Sequence, residues 1–404
     1  MSNSFATSSI VAKEALAVLK NTCSFSRMVN RDFESEFSGN MSRGYAPGQT
    51  INIKRPPRFT YRAGPVAVPQ AITESTIPLT LSQGGADIAV SDLERTLSVT
   101  QFEDKMMALM APVVNEIDRQ GLQLAHYSTF NTLNTTGALP TTAALAIQAM
   151  TDMQRRLDEM AAPRDMRRGL CMNPALNGAL VQGFGGYFNN QGKISEQNRT
   201  GLMTNQNFGF ADVTMDQNVD THTNGAATAT NINGANQTGS TITVVAVAGG
   251  TLTRGTVITL PGVFAVNPQS RQSTGVLANF VVTADVAAAA TSIPISPAIV
   301  TSGAFQNVSA SPTTGSPYVI VGSASTAYGT SVGFHKDAFT LAMVPLSSQG
   351  DGAGVKVTQM SDDGFTVRVK QGSDIITDQS IFRIDVLFGW AATYPELSVK
   401  YYNV

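Results

Sequence analysis

INIKRPPRFTYRAG (51–64) is followed by VAVPQAITESTIPLTLSQ (66–83) and then by VTQFEDKMMALMAPVVNEID (99–118). Three physical characters stand in that order. The first begins with strand-like alternation over Thr50–Lys54 and carries the cations Lys54, Arg55, Arg58 and Arg62. Proline punctuates the first two: Pro56, Pro57, Pro65, Pro69 and Pro78 remove ladder donors over 56–85. That segment is at best an edge hairpin or a long extended excursion, and a loop of such length is usually functional or mobile. In the third, Phe102, Met106, Leu109, Val113 and Ile117 form an apolar stripe on one helical face, the chain turning helical from Ser91. Pro112 is expected to kink this helix or divide it, and Gly121 to weaken its far end. None of these steps looks like catalytic chemistry. They read as an arm, a loop and a backbone helix, the parts of a subunit built to hold other subunits.

Composition bounds the rest. The 404 residues exceed what one core usually holds, so two or more folding units are expected. Charged residues are only 14% of the chain, against roughly 25% in typical soluble proteins. A sparsely charged surface loses little when buried against a neighbour; a neutral polar surface without that meaning fits composition equally well. A net charge of −2 argues against a dedicated nucleic-acid binder, while leaving room for a weak basic patch. Cys23 and Cys171 make neither a disulfide framework nor a zinc signature, so reduced cytosolic thiols are expected. The N-terminal stretch lacks the basic and apolar regions of a signal peptide, and no apolar run is long enough to span a membrane.

Along the chain, residues 7–20 read as a short helix and 21–50 as irregular. A helix after Thr141 carries Met150, Met153, Leu157 and Met160 on one face and stops at Pro163. Leu170-Cys171-Met172 reads as a buried strand ending in a turn at Asn173-Pro174, with a glycine- and asparagine-rich loop over 183–209. Residues 217–332 contain almost no charge. Within them TITVVAV (241–247), GTVITLPGV (255–263), VLANFVVTADV (276–286) and SIPIS (292–296) are strands at regular spacing, a small all-β barrel or sandwich. After Gly333 helix and strand are expected to alternate. GFTVRVKQG (364–372) and the long run from Ser380 to Tyr402 read as strands, the latter crossing much of a sheet.

Candidate chemistry is thin. His126, His222 and His335 lie in no metal-ligand spacing and read as structural or solvated. Gly183, Gly185 and Gly186 with Lys193 have the wrong spacing for a phosphate loop. Asp362-Asp363-Gly364 reads as a hairpin turn. Glu103-Asp104 and Glu116 with Asp118 read as the solvated face of the long helix. The basic run Lys54, Arg55, Arg58 and Arg62, interleaved with Phe59 and Tyr61, admits a solvated edge or nucleic-acid contact. The reading that fits better is an extended arm whose arginines pair with carboxylates on adjacent subunits.

IKRPPRFTYRAG (53–64), ITESTIPLTLSQ (72–83), APVVNEID (111–118), MNP (172–174), GFADV (209–213), GFHKDAFTLAMVPL (333–346) and TDQSIFRIDVLFGWAATYPEL (377–397) together span most of the chain. In that order the chain resembles the major capsid (coat) proteins of tailed bacteriophages, closest to the short-tailed-phage coat-protein subgroup with an inserted β-domain. The resemblance implies an α+β fold, the tailed-phage major capsid fold of Hong Kong ninety-seven type, with an inserted small all-β domain. It implies an N-terminal arm at 1–40, an extended loop and peripheral-domain strands at 41–90 and the spine helix at 91–135. The axial domain would occupy 136–216 and return at 333–375 after the inserted domain at 217–332. Residues 376–404 would supply further peripheral-domain strands. It implies self-assembly into pentamers and hexamers of an icosahedral head. Scaffolding protein, portal protein and packaged double-stranded DNA, held without sequence preference, would be partners, with assembly in the host cytoplasm. No catalytic, cofactor or metal residue is carried over, and no membrane is involved.

Two other readings compete. The threonine- and alanine-rich β-domain could be a surface-binding module, an adhesin or carbohydrate binder of a phage structural protein. A hydrolase using His335 with Asp337 is the third.

Overall fold

The computed structural model describes residues 23–32, 48–62, 64–67, 69–72, 75–91, 102–185, 208–346, 355–362, 365–374 and 379–404. The helix expected over 7–20 lies outside them. In chain order the elements begin with α1 (Phe25–Met28), β1 (Thr50–Arg55), β2 (Ser75–Thr80), β3 (Ser82–Ser91), α2 (Phe102–Ser128) and β4 (Thr132–Leu133). There follow α3 (Ala143–Glu159), β5 (Arg168–Met172), α4 (Pro174–Phe184), β6 (Asp212–Met215) and β7 (Thr221–Thr223). Next come β8 (Gly239–Thr243), β9 (Val257–Val266), β10 (Ser273–Val282), β11 (Ser292–Ile299), β12 (Val319–Ile320) and β13 (Ala327–His335). The last strands are β14 (Phe339–Met343), β15 (Val355–Asp362), β16 (Phe365–Asp374), β17 (Gln379–Ala392) and β18 (Ser398–Asn403). The expected α+β class is what the chain adopts.

Two compact units form. The first draws on Met1–Lys54, Thr76–Gly121 and Phe339–Thr393. Its sheet runs β14-β17-β16-β15, with β3 also paired to β17. Asp385 in β17 is 2% exposed and holds Arg368 at 2.6 Å, Arg383 at 2.8 Å and Gln83 at 3.0 Å. Burial pushes the Asp385 carboxyl up, but the hydrogen bonds from Arg368, Arg383 and Gln83 outweigh it and leave it below its ordinary value. β1 and β2 pair as a two-stranded sheet. Ile53, Leu79 and Leu81 root it in a core with Ala342, Val344, Leu346, Leu387 and Ala391.

The same unit holds α2 as far as Gly121. The helix is unbroken through Pro112, so the expected division does not occur. A proline ring forfeits one helical hydrogen bond; the flanking burial of Met110, Val113, Val114 and Ile117 offsets that loss. Asp118 was expected on the solvated face. It is instead 2% exposed and accepts from Ser24 N at 2.8 Å and Ser26 N at 3.0 Å, closing the start of α1. Glu116 does face solvent, 2.6 Å from Arg119. Gly121 is there for space rather than flexibility: a Cβ would meet Trp390 at 2.5 Å and Phe25 at 2.9 Å.

The second unit draws on Arg55–Ser75, Leu122–Ala338 and Tyr394–Val404. Its main sheet is β4-β18-β13-β5-β6, with β7 also on β13. Helices α3 and α4 cover that sheet through Met150, Met153, Leu157, Leu176 and Leu180. Thr142 caps α3, and the methionine face is buried as its spacing required. Asn173-Pro174 starts a helix rather than a turn. The Asn173 side chain accepts from Leu176 N at 2.9 Å and proline occupies the first helical position, where its missing donor costs nothing. Gly183 therefore lies inside α4, so close to α3 that a Cβ would meet that of Ala146 at 2.6 Å.

The charge-poor segment forms the sheet β12-β9-β10-β11-β8; β8 to β11 fall on the four stretches whose regular spacing indicated strands, and β12 is a fifth that the sequence reading did not single out. The sheet closes on itself. Residues 228–233 bridge it: Ile232 pairs with Val244 beyond β8, and Asn231 pairs with Pro317 ahead of β12. A closed barrel has no free edge. Its interior is filled by Ile242, Val244, Ile258, Leu260, Phe280, Ile293 and Tyr318, and Met160 from the end of α3 enters the same core. Asn267 Nδ2 adds a hydrogen bond to Glu159 O at 2.8 Å.

The region after Gly333 carries strands and two 3-10 turns, with no α-helix among the described residues, against the expected alternation. The long C-terminal run is two strands. β17 belongs to the first unit and β18 to the second, with the 3-10 turn Pro395–Leu397 between them. β15 and β16 pair antiparallel with Asp362 opposite Phe365; Asp363 and Gly364 of the expected turn lie outside the described residues.

Alanine at Gly121 tests the steric reading. Propensity alone would stabilise the helix by about 1 kcal/mol, whereas overpacking costs about 1–3 kcal/mol. We expect Gly121→Ala to lower the thermal midpoint; a rise would show that Trp390 and Phe25 yield freely.

Candidate subunit-contact surface

The proline-punctuated loop leaves β1 and returns at β2. Lys54 is exposed in β1, beside buried Ile53. Arg55 and Arg58 converge on one carboxylate of the same chain, Glu396. Arg58 Nη2 donates to Glu396 Oε1 at 2.8 Å, and Arg55 Nη2 lies 4.0 Å from Oε2. The Arg55 guanidinium stands 5.4 Å from the Tyr394 ring and that of Arg58 stands 5.7 Å from the Phe305 ring. Arg62 is not part of this cluster; it donates to the carbonyls of Gly64 and Val66. The structure thus brings two of the four expected contact cations together.

Two side chains hold the loop backbone, the Gln70 amide and the Arg271 guanidinium. The Gln70 side chain accepts from Thr60 N at 2.8 Å and donates to Thr60 O at 2.7 Å, replacing a strand partner. Arg271 Nη2 donates to Phe59 O at 2.8 Å. The loop turns apolar side chains outward: Phe59 is 52% exposed, Tyr61 95%, Val66 75% and Ile72 68%. Single exposed hydrophobes are ordinary; four on one loop make it the candidate contact surface.

Glu396 has no sequence signal. It follows Pro395 in a 3-10 turn more than three hundred positions beyond Arg58, and only the packing of the chain joins them.

The remaining candidates are structural. The three histidines are all buried, none solvated. His335 Nδ1 accepts from Asp337 N at 3.3 Å, which leaves Nε2–H to donate to Asp165 at 3.0 Å. The ring braces two turns, and the hydrolase reading gains no nucleophile from it. Gly186 and Lys193 lie outside the described residues. A cavity of about 810 Å³ beside α3 is lined by Arg155, Asp158, Arg164 and Arg168. Asp158 binds both Arg164 and Arg168 there, and the Arg164 hydrogen bond foremost holds it below its ordinary value. Among the described residues no cluster of three or more His, Cys, Asp or Glu could hold a metal. No described helix is long and apolar enough to cross a membrane. Cys23 and Cys171 are both buried and neither is in a disulfide, and burial pushes Cys23 up to about 12.

Residues 94–400 match the P22 coat protein family, gene protein 5. The chain belongs to that family. It is a capsid-forming protein of a tailed phage, a component of the virion shell, and its family is a structural one. Membership brings the capsid fold of Hong Kong ninety-seven type that the motifs implied. No curated protein matches in sequence. Among solved structures, one from Mycobacterium phage Che8 aligns at 12% identity and a TM-score of 0.48, covering 94% of this chain and 90% of that one. The capsid structure of cyanophage P-SCSP1u aligns at 10% and 0.42, covering 90% and 85%. The capsid of Ralstonia phage GP4 aligns at 7% and 0.43, covering 93% and 87%. At these scores the family match, not the superposition, carries the assignment.

Removing the loop's anchor should free it without unfolding the chain. A partly exposed pair contributes at most about 1 kcal/mol, so Glu396→Gln should leave the thermal midpoint nearly unchanged. Trypsin should cut faster after Arg58 and Arg62. Unchanged cleavage would show that Arg271 and Gln70 hold the loop by themselves.

Proposed function

We propose that this coat protein is the major capsid protein of its phage, assembling into pentamers and hexamers of an icosahedral head around double-stranded DNA. The observation that carries the reading is the loop over residues 56–74. Its root is packed in a core and Arg58, Thr60, Arg62 and Gln70 are bonded within the chain, yet Phe59, Tyr61, Val66 and Ile72 face outward. A loop so built is costly in a monomer and useful in a shell, where apolar contacts repeat with every copy.

In this reading the first unit is the peripheral domain, with α2 as its spine and the β1–β2 hairpin as the base of the extended loop. The α3 and α4 sheet layer is the axial domain, and the barrel is the inserted domain. Residues 1–40 form the N-terminal arm. Scaffolding protein and portal protein join during assembly in the host cytoplasm, and packaged DNA is held without sequence preference.

Lys54, Arg55, Arg58 and Arg62 form the cationic side of the subunit contact. The Arg58–Glu396 pair refines their role: within the chain it sets the direction of the loop, and the loop then meets its neighbour. The rival reading, a sugar-binding β-domain, would rest on aromatic side chains exposed on the barrel. Phe264 is 37% exposed, and Phe305, 38% exposed, lies beneath Arg58.

Electron microscopy of the expressed protein, with and without a scaffold encoded beside it, tests the proposal. Closed uniform shells, or rings of five and six, are expected. A homogeneous monomer under every condition would favour the binding-module reading.

Arg58→Glu should reduce particle yield more than monomer stability. The swap Arg58→Glu with Glu396→Arg restores the internal pair. Recovery of particles would assign Arg58 to loop positioning, and continued failure would assign it to the neighbour. Normal particle yield from Arg58→Glu alone would remove both roles.

A further inference from the structure

The barrel meets the end of α2 and the C-terminal strand at a buried seam. Its apolar part is Phe130, Val257, Val281, Val321, Tyr328 and Tyr402, with the two tyrosine rings stacked 4.9 Å apart. Three titratable side chains share this seam. Lys400, on β18, is fully buried. Its amine donates to His126 O at 3.2 Å, at the end of α2, and to Gly255 O at 3.3 Å, on the barrel. The His126 and His222 rings stand 4.8 Å apart. His222 Nε2 meets Thr256 Oγ1 at 3.2 Å, while neither ring nitrogen of His126 has a hydrogen-bond partner among the described residues.

The hydrogen bonds fit an uncharged cluster. A neutral amine has two N–H groups, and Lys400 has two acceptors. An ammonium would leave its third N–H without a partner in a buried site. A protonated imidazole at His126 would carry two unmatched donors there, one more than the neutral ring. We propose that Lys400, His126 and His222 form a proton-sensitive joint, which fastens the barrel to α2 and β18 while uncharged and loosens as its members gain protons.

The surrounding charges act on both sides. Asp220, ahead of β7, favours charge on Lys400, and the Tyr402 ring lies 5.7 Å from its amine. Arg254, whose guanidinium sits 4.2 Å over the Tyr127 ring, disfavours charge on His126. Asp285 accepts from Arg254 N at 2.7 Å on the barrel side. Tyr402 is pushed upward by burial and so stays neutral throughout. Burial dominates for the three bases: it lowers Lys400 to about 7 and His222 to about 4, and it takes His126 well below its ordinary value.

All three groups are depressed on folding. Each therefore contributes stability that is present above its unfolded value and lost as pH falls to its folded one. For Lys400 that window runs from 10.5 down to about 7, and for His222 from 6.5 down to about 4.

Thermal denaturation of the unassembled full-length subunit from pH 4 to pH 9.5 tests the joint independently of assembly. The wild-type midpoint should climb between pH 7 and pH 9. Lys400→Met should flatten that limb while keeping the limb below pH 6.5, and His222→Gln should keep the upper limb and make the one below pH 6.5 shallower, His126 sustaining the rest. Profiles parallel to wild type in both variants would overturn the proposal. Should Lys400→Met fail to fold, hydrogen exchange on the wild-type chain decides. The Gly255 amide, bonded to Val282 O, and the Lys400 amide, bonded to Asn131 O, report the joint. Their protection, corrected for intrinsic rates, should fall at least about tenfold between pH 8.5 and pH 6. Protection unchanged across that range would equally sink the idea.

Discussion

Pairing of strand edges is the constraint on which the rest of this molecule depends. An unpaired edge offers its N–H and C=O groups to any other chain, and proteins usually guard such edges with lysine and other charges. With charged residues at 14% of the chain, that guard is scarce, and scarcest over 217–332. The barrel answers by closure, since residues 228–233 occupy the gap between β8 and β12. Side-chain amides do the same locally. Gln237 binds Asn233 O at 2.8 Å, Thr243 O at 3.0 Å and Thr243 N at 2.6 Å. Gln70 treats Thr60 likewise in the extended loop. Neutral amides satisfy the backbone without adding charges that a shell contact would have to desolvate.

The few charges that enter the interior are each resolved differently. Asp118 is satisfied by the backbone at the start of α1, and Asp385 by a buried arginine across the sheet. Arg168, 2% exposed, spreads its guanidinium over Asp158, Gln154 and the carbonyls of Pro163 and Ala162. Lys400 has no such set, and the low-cost solution for an amine there is to shed its proton. A buried charge with full partners makes a rigid point, whereas one with partial partners is sensitive to pH. The rigid points brace the sheets of the two units, and the sensitive one sits where the barrel is attached.

These features suit a coat protein. Its outward apolar side chains lie on a loop whose base is packed and whose Thr60 and Gln70 are bonded to each other, as the proposed contact would use it. The inserted barrel is not a loose appendage, because Met160 enters its core and Asn267 ties it to the end of α3. A change at either place should be felt by both layers.

Local pattern in the sequence determined much of this. The regularly spaced, charge-poor runs of 241–296 placed β8 to β11 of the barrel. The methionine face of 150–160 placed α3, and the ordered motifs from 53 to 397 placed the chain in its family. The helix α4 was also legible in Asn173-Pro174, a cap followed by a proline at the first helical position, although read as a turn. Other features required the tertiary structure. Asp118 is burial-neutral by sequence until the N–H groups of Ser24 and Ser26 arrive from far along the chain. Pro112 reads as a break until packing offsets its lost hydrogen bond. Glu396 and Arg58, and Lys400 with His126 and His222, are joined by no periodicity. Local pattern reports which face of an element is apolar, because neighbours in sequence share that face. Which distant group satisfies a buried charge depends on where whole elements pack, and that is decided only when the chain has folded.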